Sequence, residues 1–97
     1  MHAIGQMTIT ETAITTATIT KIESADRNRR CLIVDNGDNT ADDLYVSYGS
    51  QPAGVANMHK LTAGGVLIWD NQAIPTGDVW VYHAKGSNMN VKIGVGK

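Results

Sequence analysis

The chain has 97 residues and contains no phenylalanine, one cysteine, two prolines and no apolar run long enough to cross a bilayer. The lone Cys31 excludes an internal disulfide and any zinc site built from paired cysteines. The net charge of −1 lacks the basic excess that a dedicated duplex-binding domain carries. The first residues show neither the basic start nor the apolar core of a signal peptide. These absences predict one small domain that is used in an aqueous, reducing compartment or is assembled there into something larger.

What the chain does contain is a high share of β-branched residues. Residues 7–22 read MTITETAITTATITKI, in which seven of the sixteen positions are threonine and odd and even positions alternate in character. Alternation and β-branching together favour a strand over a helix. The alternation slips at Ile14-Thr15-Thr16, which indicates a bulge or two strands joined end to end. Disorder, mainly over residues 1–8, is the alternative for this segment.

Short apolar segments separated by turn residues follow along the rest of the chain. They are 31–34, 44–48, 58–61, 66–69, 79–84 and 91–95. Their spacing, without any helical period, is typical of an antiparallel sandwich or barrel. We therefore predict an all-β fold, a small antiparallel β-sandwich or jelly-roll-like barrel of seven to eight short strands. Residues 1–22 form an extended, threonine-rich N-terminal arm or first strand in this prediction, and residues 23–97 form the sandwich.

All three arginines lie in one short polar turn before the segment 31–34. Arg27, Arg29 and Arg30 have the chemistry of a phosphate clamp, because guanidinium groups bind phosphate in a bidentate manner. Strand alternation, however, places Arg29 and Arg30 on opposite sides of the chain. The favoured interpretation is therefore that the arginines pair with acidic groups of this chain or of a protein partner, and no nucleic acid is expected.

The acidic segment 35–43 has the composition of a calcium loop but not its spacing. An EF-hand loop places its glycine sixth, after alternating oxygen ligands, whereas Gly37 follows Asp35 by only two residues. A solvated turn is the favoured interpretation, and an irregular ion site that also uses Asp42 or Asp43 is the alternative.

No catalytic signature is evident. His2, His59 and His83 are far apart in sequence, and Cys31 lies in an apolar run, where a thiol is usually inert packing. The chain has no Gly-x-Ser-x-Gly elbow and no Walker spacing around Gly64. We therefore predict a protein that is not an enzyme and needs no cofactor or metal.

The aromatic residues allow two interpretations. Tyr45, Trp69, Trp80 and Tyr82 have the chemistry of a sugar-stacking platform on a sheet face. The same residue types also serve as core or interface anchors.

Two further features favour assembly. The segments 31–34, 66–69 and 79–82 are apolar on both faces, which is more than a sandwich of this size covers by itself. The N-terminal segment also has the character of a strand that adds to a neighbour's sheet edge. The residues predicted to contact a protein partner are Ile9, Ile14, Ile19, Arg27, Arg29, Arg30, Trp69 and Trp80.

The order of turns and strands from about residue 16 to residue 95 resembles small structural proteins of tailed bacteriophages. The resemblance is carried by an arginine-rich turn before an apolar strand that ends in asparagine, by YVSYG, by a glycine turn, by PTGDVWVYHA and by VKIGV. The matching positions are Arg29, Arg30, Leu32, Val34, Asn36, Tyr45, Val46, Ser47, Tyr48, Gly49, Gly64, Pro75, Gly77, Val79, Val81, Ala84, Val91, Ile93 and Val95. The insert 38–43 makes the hairpin after the arginine strand longer than in that family.

This resemblance implies a non-enzymatic β-sandwich of the virion that is similar to head decoration, or cement, proteins. Such a protein binds and stabilises the capsid shell from its outer surface, often as a homotrimer, after assembly in the host cytoplasm. The implied partner is the major capsid protein or another virion protein, with no membrane involved. The alternatives are a tail, collar or fibre accessory and a carbohydrate- or receptor-binding β-module.

Overall fold

The computed structural model describes residues 7–70 and 73–97. Within these residues, segments with alternating side chains form eight strands. The strands are β1 (Met7–Ile14), β2 (Thr20–Glu23), β3 (Cys31–Asp35), β4 (Leu44–Tyr48), β5 (His59–Leu61), β6 (Val66–Trp69), β7 (Val79–Tyr82) and β8 (Met89–Gly96), with one 3-10 turn, Val55–Asn57. They form sheet A, in the order β1-β8-β3-β6, and sheet B, in the order β2-β7-β4-β5. The predicted all-β sandwich of seven to eight strands is confirmed. Among the described residues, no helix has the length and apolarity to span a membrane.

The connectivity follows one rule, because each strand pairs with its mirror image in the chain. β1 pairs with β8, β2 with β7, β3 with β6 and β4 with β5, all antiparallel. The chain is thus one long hairpin whose tip lies between β4 and β5. Two further pairings, β3 with β8 and β4 with β7, roll this hairpin into the two sheets. This connectivity is that of a jelly roll.

The slip in the N-terminal alternation marks the point where the chain changes sheets. β1 ends at Ile14 in sheet A, Ala17 adopts a positive φ of 53°, and β2 begins at Thr20 in sheet B. The crossing is attached to the end of β7, because the Ala17 N–H donates to the His83 carbonyl at 2.9 Å and His83 Nε2 lies 2.6 Å from the Ile14 carbonyl oxygen. The Lys85 N–H donates to His83 Nδ1, so the fully buried His83 is a structural residue. Of the two alternatives for the slip, a bulge or two strands joined end to end, the structure has two consecutive strands in different sheets.

The core lies between the sheets and is almost entirely aliphatic. Alternate residues of the central strands point into it, which is why every second side chain of β3, β4 and β7 is fully buried. Its members are Ile14, Leu32, Val34, Leu44, Val46, Val79, Val81, Met89, Val91 and Ile93. One end is closed by Trp69 and Tyr48, whose rings meet edge to face at 5.9 Å.

The N-terminal segment belongs to the sandwich over its described part. β1 pairs with β8 at all eight of its positions and ends in the core at Ile14. Within residues 7–22 the chain therefore forms a first strand, β1, a connection and the start of β2. Residues 1–6 of the predicted arm, including His2, lie outside the described residues.

Candidate protein interaction site

An apolar row crosses the outer face of sheet A. Ile9, Gly94, Ile33 and Ile68 occupy aligned positions on β1, β8, β3 and β6. The side chains at the two ends of the row are the most accessible, since Ile9 is 65% exposed and Ile68 is 58% exposed. Met7 and Val66, at 40% and 47%, extend the same surface. We name Met7, Ile9, Ile33, Val66 and Ile68 the apolar patch.

Gly94 lies in the middle of this patch, where it has no side chain and leaves room for its neighbours. A Cβ at this position would lie 3.2 Å from the methyl carbon of Met7 and 3.2 Å from the Cβ of Ile33. These two side chains therefore close over the glycine backbone, and a larger residue at position 94 would push them apart. The result is a continuous aliphatic surface across four strands. Contiguous apolar surface of this kind on a small protein usually marks an interaction site.

A row of charges borders the patch on one side. Glu11, Lys92 and Asp35 are aligned on β1, β8 and β3, so the sign alternates across the sheet. Lys92 Nζ lies 3.0 Å from Asp38 Oδ2. That hydrogen bond, with the charges of Asp38, Glu11 and Asp35, raises the pKa of Lys92 above its ordinary value. An apolar centre with a polar border is the usual anatomy of a protein interface.

The patch ends at an edge strand that is little protected against pairing. β1 lies at the edge of sheet A and pairs with β8 alone within the described residues. Natural edge strands commonly carry lysine, proline or a bulge that blocks addition of another strand. β1 has no lysine or proline, and its register with β8 runs without interruption. Glu11 is its one charged residue.

The eight residues predicted to contact a partner are divided by the fold. Ile9 is on the apolar patch, and Arg27 and Arg30 are exposed, so contact of these three with a partner stays a prediction. Ile19 is half-buried in the connection between β1 and β2, and Trp80 is half-buried on the outer face of sheet B. The other three, Ile14, Arg29 and Trp69, have structural positions inside this chain.

Ile14 is fully buried in the core, so the prediction that it contacts a partner is wrong. Within β1 the uninterrupted alternation places the even-numbered Ile14 on the inner side and the odd-numbered Ile9 on the outer side. The half-buried Trp69 faces the interior, where its indole N–H donates to the Tyr48 hydroxyl at 3.0 Å. It anchors β6 of sheet A to β4 of sheet B.

Arg29 is an internal clamp. Only 3% of the residue is exposed, and its guanidinium donates to three carbonyls, those of Pro75 at 2.7 Å, Gly77 at 3.1 Å and Ser24 at 2.8 Å. The prediction that Arg29 pairs with acidic groups, either of this chain or of a protein partner, is therefore wrong, since three backbone carbonyls of its own chain accept its hydrogen bonds. Arg29 joins the turn before β3 to the loop before β7.

Asp26, at the start of the same turn, is held as a carboxylate. Its Oδ2 lies 2.7 Å from Lys97 Nζ, and its Oδ1 accepts the Asn28 N–H at 2.9 Å. The hydrogen bond from Lys97 comes first among the interactions that lower the pKa of Asp26, followed by the Asn28 N–H and the charges of Lys97 and Arg29.

The acidic segment is organised around a buried amide that sequence reasoning treated only as a turn residue. Asn36 is fully buried, and its Nδ2 donates to the carbonyls of Asp42 at 3.0 Å and Thr62 at 3.3 Å. Its Oδ1 accepts from Asn39 Nδ2 at 2.7 Å. Asn36 thus ties the end of β3 to the acidic loop and to the turn before β6.

Most carboxylates of this segment are engaged by the chain itself. Asp35 Oδ1 accepts the Gly37 N–H at 2.7 Å, and Asp38 pairs with Lys92. Asp43 accepts the Ala63 N–H at 3.0 Å and pairs with Lys60 at 3.3 Å. No group of three metal-ligating side chains occurs within residues 7–70 and 73–97.

A platform of all four rings, one of the two interpretations of the aromatic residues, does not form, because strand parity separates its members. Trp69 faces the interior, whereas Tyr45, Trp80 and Tyr82 lie on the outer face of sheet B. Tyr45 and Tyr82 are cross-strand partners, with ring centroids 6.1 Å apart at 61°. The Trp80 indole N–H donates to the Gly49 carbonyl at 2.8 Å.

The Cys31 thiol is expected to react only when the protein opens. Cys31 is 3% exposed, and burial, followed by the charge of Asp70, raises its pKa. Because the thiolate is the reactive form, we expect modification by an aromatic disulfide reagent at neutral pH to be on the order of a hundredfold slower in native than in denatured protein. Stopped-flow absorbance measures both rates. Equal rates would show that Cys31 is accessible in the folded state.

No protein-family model, curated protein or solved structure matches this chain. The fold and the surfaces of the molecule therefore carry the functional proposal. They define a small jelly-roll protein with an aliphatic outer face on one sheet and an aromatic outer face on the other.

Proposed function

We propose that this chain is a non-enzymatic structural subunit that self-associates through the apolar patch, and that it works as a head decoration protein on the outer surface of a tailed-phage capsid. The observation that carries the proposal is the aliphatic row across sheet A. Its two end residues, Ile9 and Ile68, are mostly exposed although both are large and apolar. Such a row is unfavourable in contact with water and favourable against a second apolar surface.

The occupant that fits this surface best is a second copy of the chain. The charged border alternates in sign, because Lys92 lies between Glu11 and Asp35. When two copies of one surface meet, the lysine of one copy can face a carboxylate of the other while the aliphatic rows pack together. A homo-oligomer therefore pairs the charges of the border and buries the apolar side chains of the patch at the same time.

The energetic scale favours an assembly with many contacts over an isolated pair. Met7, Ile9, Val66 and Ile68 are each roughly half exposed, so that burying each side chain contributes about 1 kcal/mol. Association costs about 4–15 kcal/mol of lost freedom and ordering, which makes one such contact weak. An oligomer that engages several symmetry-related shell subunits gains strength through avidity.

The virion setting is supported by the sequence resemblance to small phage structural proteins. Jelly rolls occur in viral capsid proteins, in lectins and in cupins, so the fold alone does not choose between these classes. A homotrimer that binds the major capsid protein is the form that the resemblance favours, and in it the Ile9 end of one copy's patch would meet the Ile68 end of the next around the three-fold axis. A tail, collar or fibre accessory would use the same patch in another part of the particle.

The proposal is tested by placing charge on the patch. We expect Ile9→Glu combined with Ile68→Glu to abolish self-association, because each carboxylate would have to be buried against an aliphatic surface. Ala56→Glu adds a carboxylate at an exposed position of the 3-10 turn before β5 and serves as the matched control. Sedimentation velocity from about 10 μM to about 1 mM covers the affinities expected for a weak pairwise contact.

The expected result is a sedimentation coefficient that rises with concentration for the wild type and for Ala56→Glu and stays at the monomer value for the double variant. In co-sedimentation with tailed-phage heads stripped of their outer proteins, the wild type and Ala56→Glu should bind the heads and the double variant should not. A wild type that remains monomeric throughout and does not bind heads would refute the proposal. So would a double variant that associates as the wild type does.

A further inference from the structure

A small cleft opens at one end of the outer face of sheet B. β4 and β7 are antiparallel neighbours, so the start of β4 and the end of β7 lie at the same end of the sheet. The cleft between them has a volume of about 160 Å³ and is lined by Ala41, Asp42, Asp43, Tyr45, Ala84 and Lys85. A larger cleft of about 200 Å³ beside Thr8 and Thr10 has no aromatic ring in its lining, so it offers no surface for stacking.

Tyr45 lines the smaller cleft, and its ring is held by the neighbouring ring of Tyr82. Tyr45 packs edge to face against Tyr82, its partner on the adjacent strand. Trp80, two residues before Tyr82 on β7, is fixed by its hydrogen bond to Gly49. All three rings are half-buried, so each keeps part of its surface open to solvent. A ring held in this way loses little conformational freedom when a ligand stacks against it.

The cleft also offers one uncommitted acceptor and one uncommitted donor. Asp43 is occupied by Lys60 and by the Ala63 N–H. The Asp42 carboxylate and the Lys85 ammonium group form no hydrogen bond or ion pair with any residue of the described chain, and both residues are half-buried. Their charges are opposite, so the cleft is close to neutral overall.

We propose that this cleft binds one neutral sugar ring, the terminal pyranose of a glycan. A pyranose presents a face of C–H groups that stacks on an aromatic ring and a rim of hydroxyls that both donate and accept hydrogen bonds. Tyr45 supplies the ring, Asp42 accepts from the hydroxyls and Lys85 donates to them. The balanced charge favours a neutral sugar over a uronic or sialic acid. This site is on the sheet opposite the apolar patch and does not depend on it.

Titration with a panel of neutral methyl pyranosides and short neutral oligosaccharides, followed by calorimetry and by amide chemical shifts, tests the proposal. Methyl glycosides of glucuronic and sialic acid are the charged comparators. We expect at least one neutral glycoside to bind with a Kd in the millimolar range, as is reasonable for a single ring in an open cleft. The shifted amides should be those of the cleft residues.

Two substitutions identify the site. Tyr45→Ala should weaken binding at least about tenfold and Asp42→Asn about fivefold or more, whereas Tyr45→Phe, which keeps the ring, should bind nearly as well as the wild type. Ser50→Ala, at an exposed position outside the cleft, is the control. The variant with Ile9→Glu and Ile68→Glu should bind sugar as the wild type does, which separates this site from self-association. Absence of binding by every neutral glycoside, preference for the charged ones, or affinity unchanged by Tyr45→Ala and Asp42→Asn would overturn the proposal.

Discussion

Replacing Arg29 with methionine is expected to lower the free energy of unfolding by about 3 kcal/mol. The side chain donates three hydrogen bonds, to the carbonyls of Pro75, Gly77 and Ser24, and is almost fully buried. Methionine fills a similar space but leaves these carbonyls without donors. Each hydrogen bond from a charged donor contributes about 1.5–3 kcal/mol.

The sum is reduced by the cost of burying the guanidinium itself. Arg29 Nε has no hydrogen-bond acceptor among residues 7–70 and 73–97, although it is buried. This unsatisfied group and the desolvation of the charge offset part of the gain, so we expect a net loss of about 3 kcal/mol, which is less than the sum of three such hydrogen bonds. Since a domain of this size has a total stability of about 5–15 kcal/mol, the loss is still a large fraction.

Guanidinium denaturation monitored by tryptophan fluorescence measures the effect. Arg27→Met is the matched control, because Arg27 is exposed in the same turn, and it should change the free energy of unfolding by less than about 0.5 kcal/mol. Arg29→Lys should be intermediate, since one ammonium group cannot reach three carbonyls with the geometry of the planar fork. Equal stabilities of the Arg29→Met and Arg27→Met variants would show that the clamp contributes nothing.

Replacing Asn36 with alanine is the second substitution with a large expected effect, a loss of about 2–4 kcal/mol. The amide makes two donor contacts and one acceptor contact while fully buried. Alanine removes all three and leaves the carbonyls of Asp42 and Thr62 without this donor. Because the substitution also frees the acidic loop from β3, cleavage by a protease that cuts after acidic residues should become faster within residues 38–43.

Asn57→Ala is the control for this second prediction. Asn57 is exposed at the end of the 3-10 turn, and its removal should change stability by less than about 0.5 kcal/mol. Thermal unfolding of both variants measures the difference. A melting temperature for Asn36→Ala that equals that of the control would contradict the role assigned to the buried amide.

Strand parity made much of this fold predictable from sequence. The alternation in 7–22 and its slip located β1, β2 and the crossing between the sheets. The same parity placed Arg29 and Arg30 on opposite sides of the chain, which agrees with one being buried and the other exposed. Alternation alone does not reveal which of the two faces of a strand packs against the core.

β1 illustrates this limit. Its inner positions are Thr8, Thr10, Thr12 and Ile14, and its outer positions include Met7 and Ile9, so the more apolar face points outward over half the strand. The covered face is decided by pairing with β8, which is about eighty residues away in the chain. No local pattern contains that information.

The roles of Arg29 and Trp69 were missed for the same reason. The acceptors of Arg29 at positions 75 and 77 are 46 and 48 residues away in sequence. Trp69 and Trp80 both lie in short apolar segments, and only the register of β6 with β3 and of β7 with β4 places one ring inside the sandwich and the other outside. Asn36 did carry a local signal, because it follows a buried strand directly, but an Asn-Gly pair is also an ordinary turn.

The measurement that tests the central claim most directly is the isoleucine methyl spectrum of the protein recorded as a function of concentration. If copies of the chain meet through the apolar patch, the methyl resonances of Ile9, Ile33 and Ile68 shift together and yield one dissociation constant. Those of the core residues Ile14 and Ile93 stay nearly unchanged over the same range. Methyl shifts that are absent, or that occur without Ile9 and Ile68, would contradict assembly through this face.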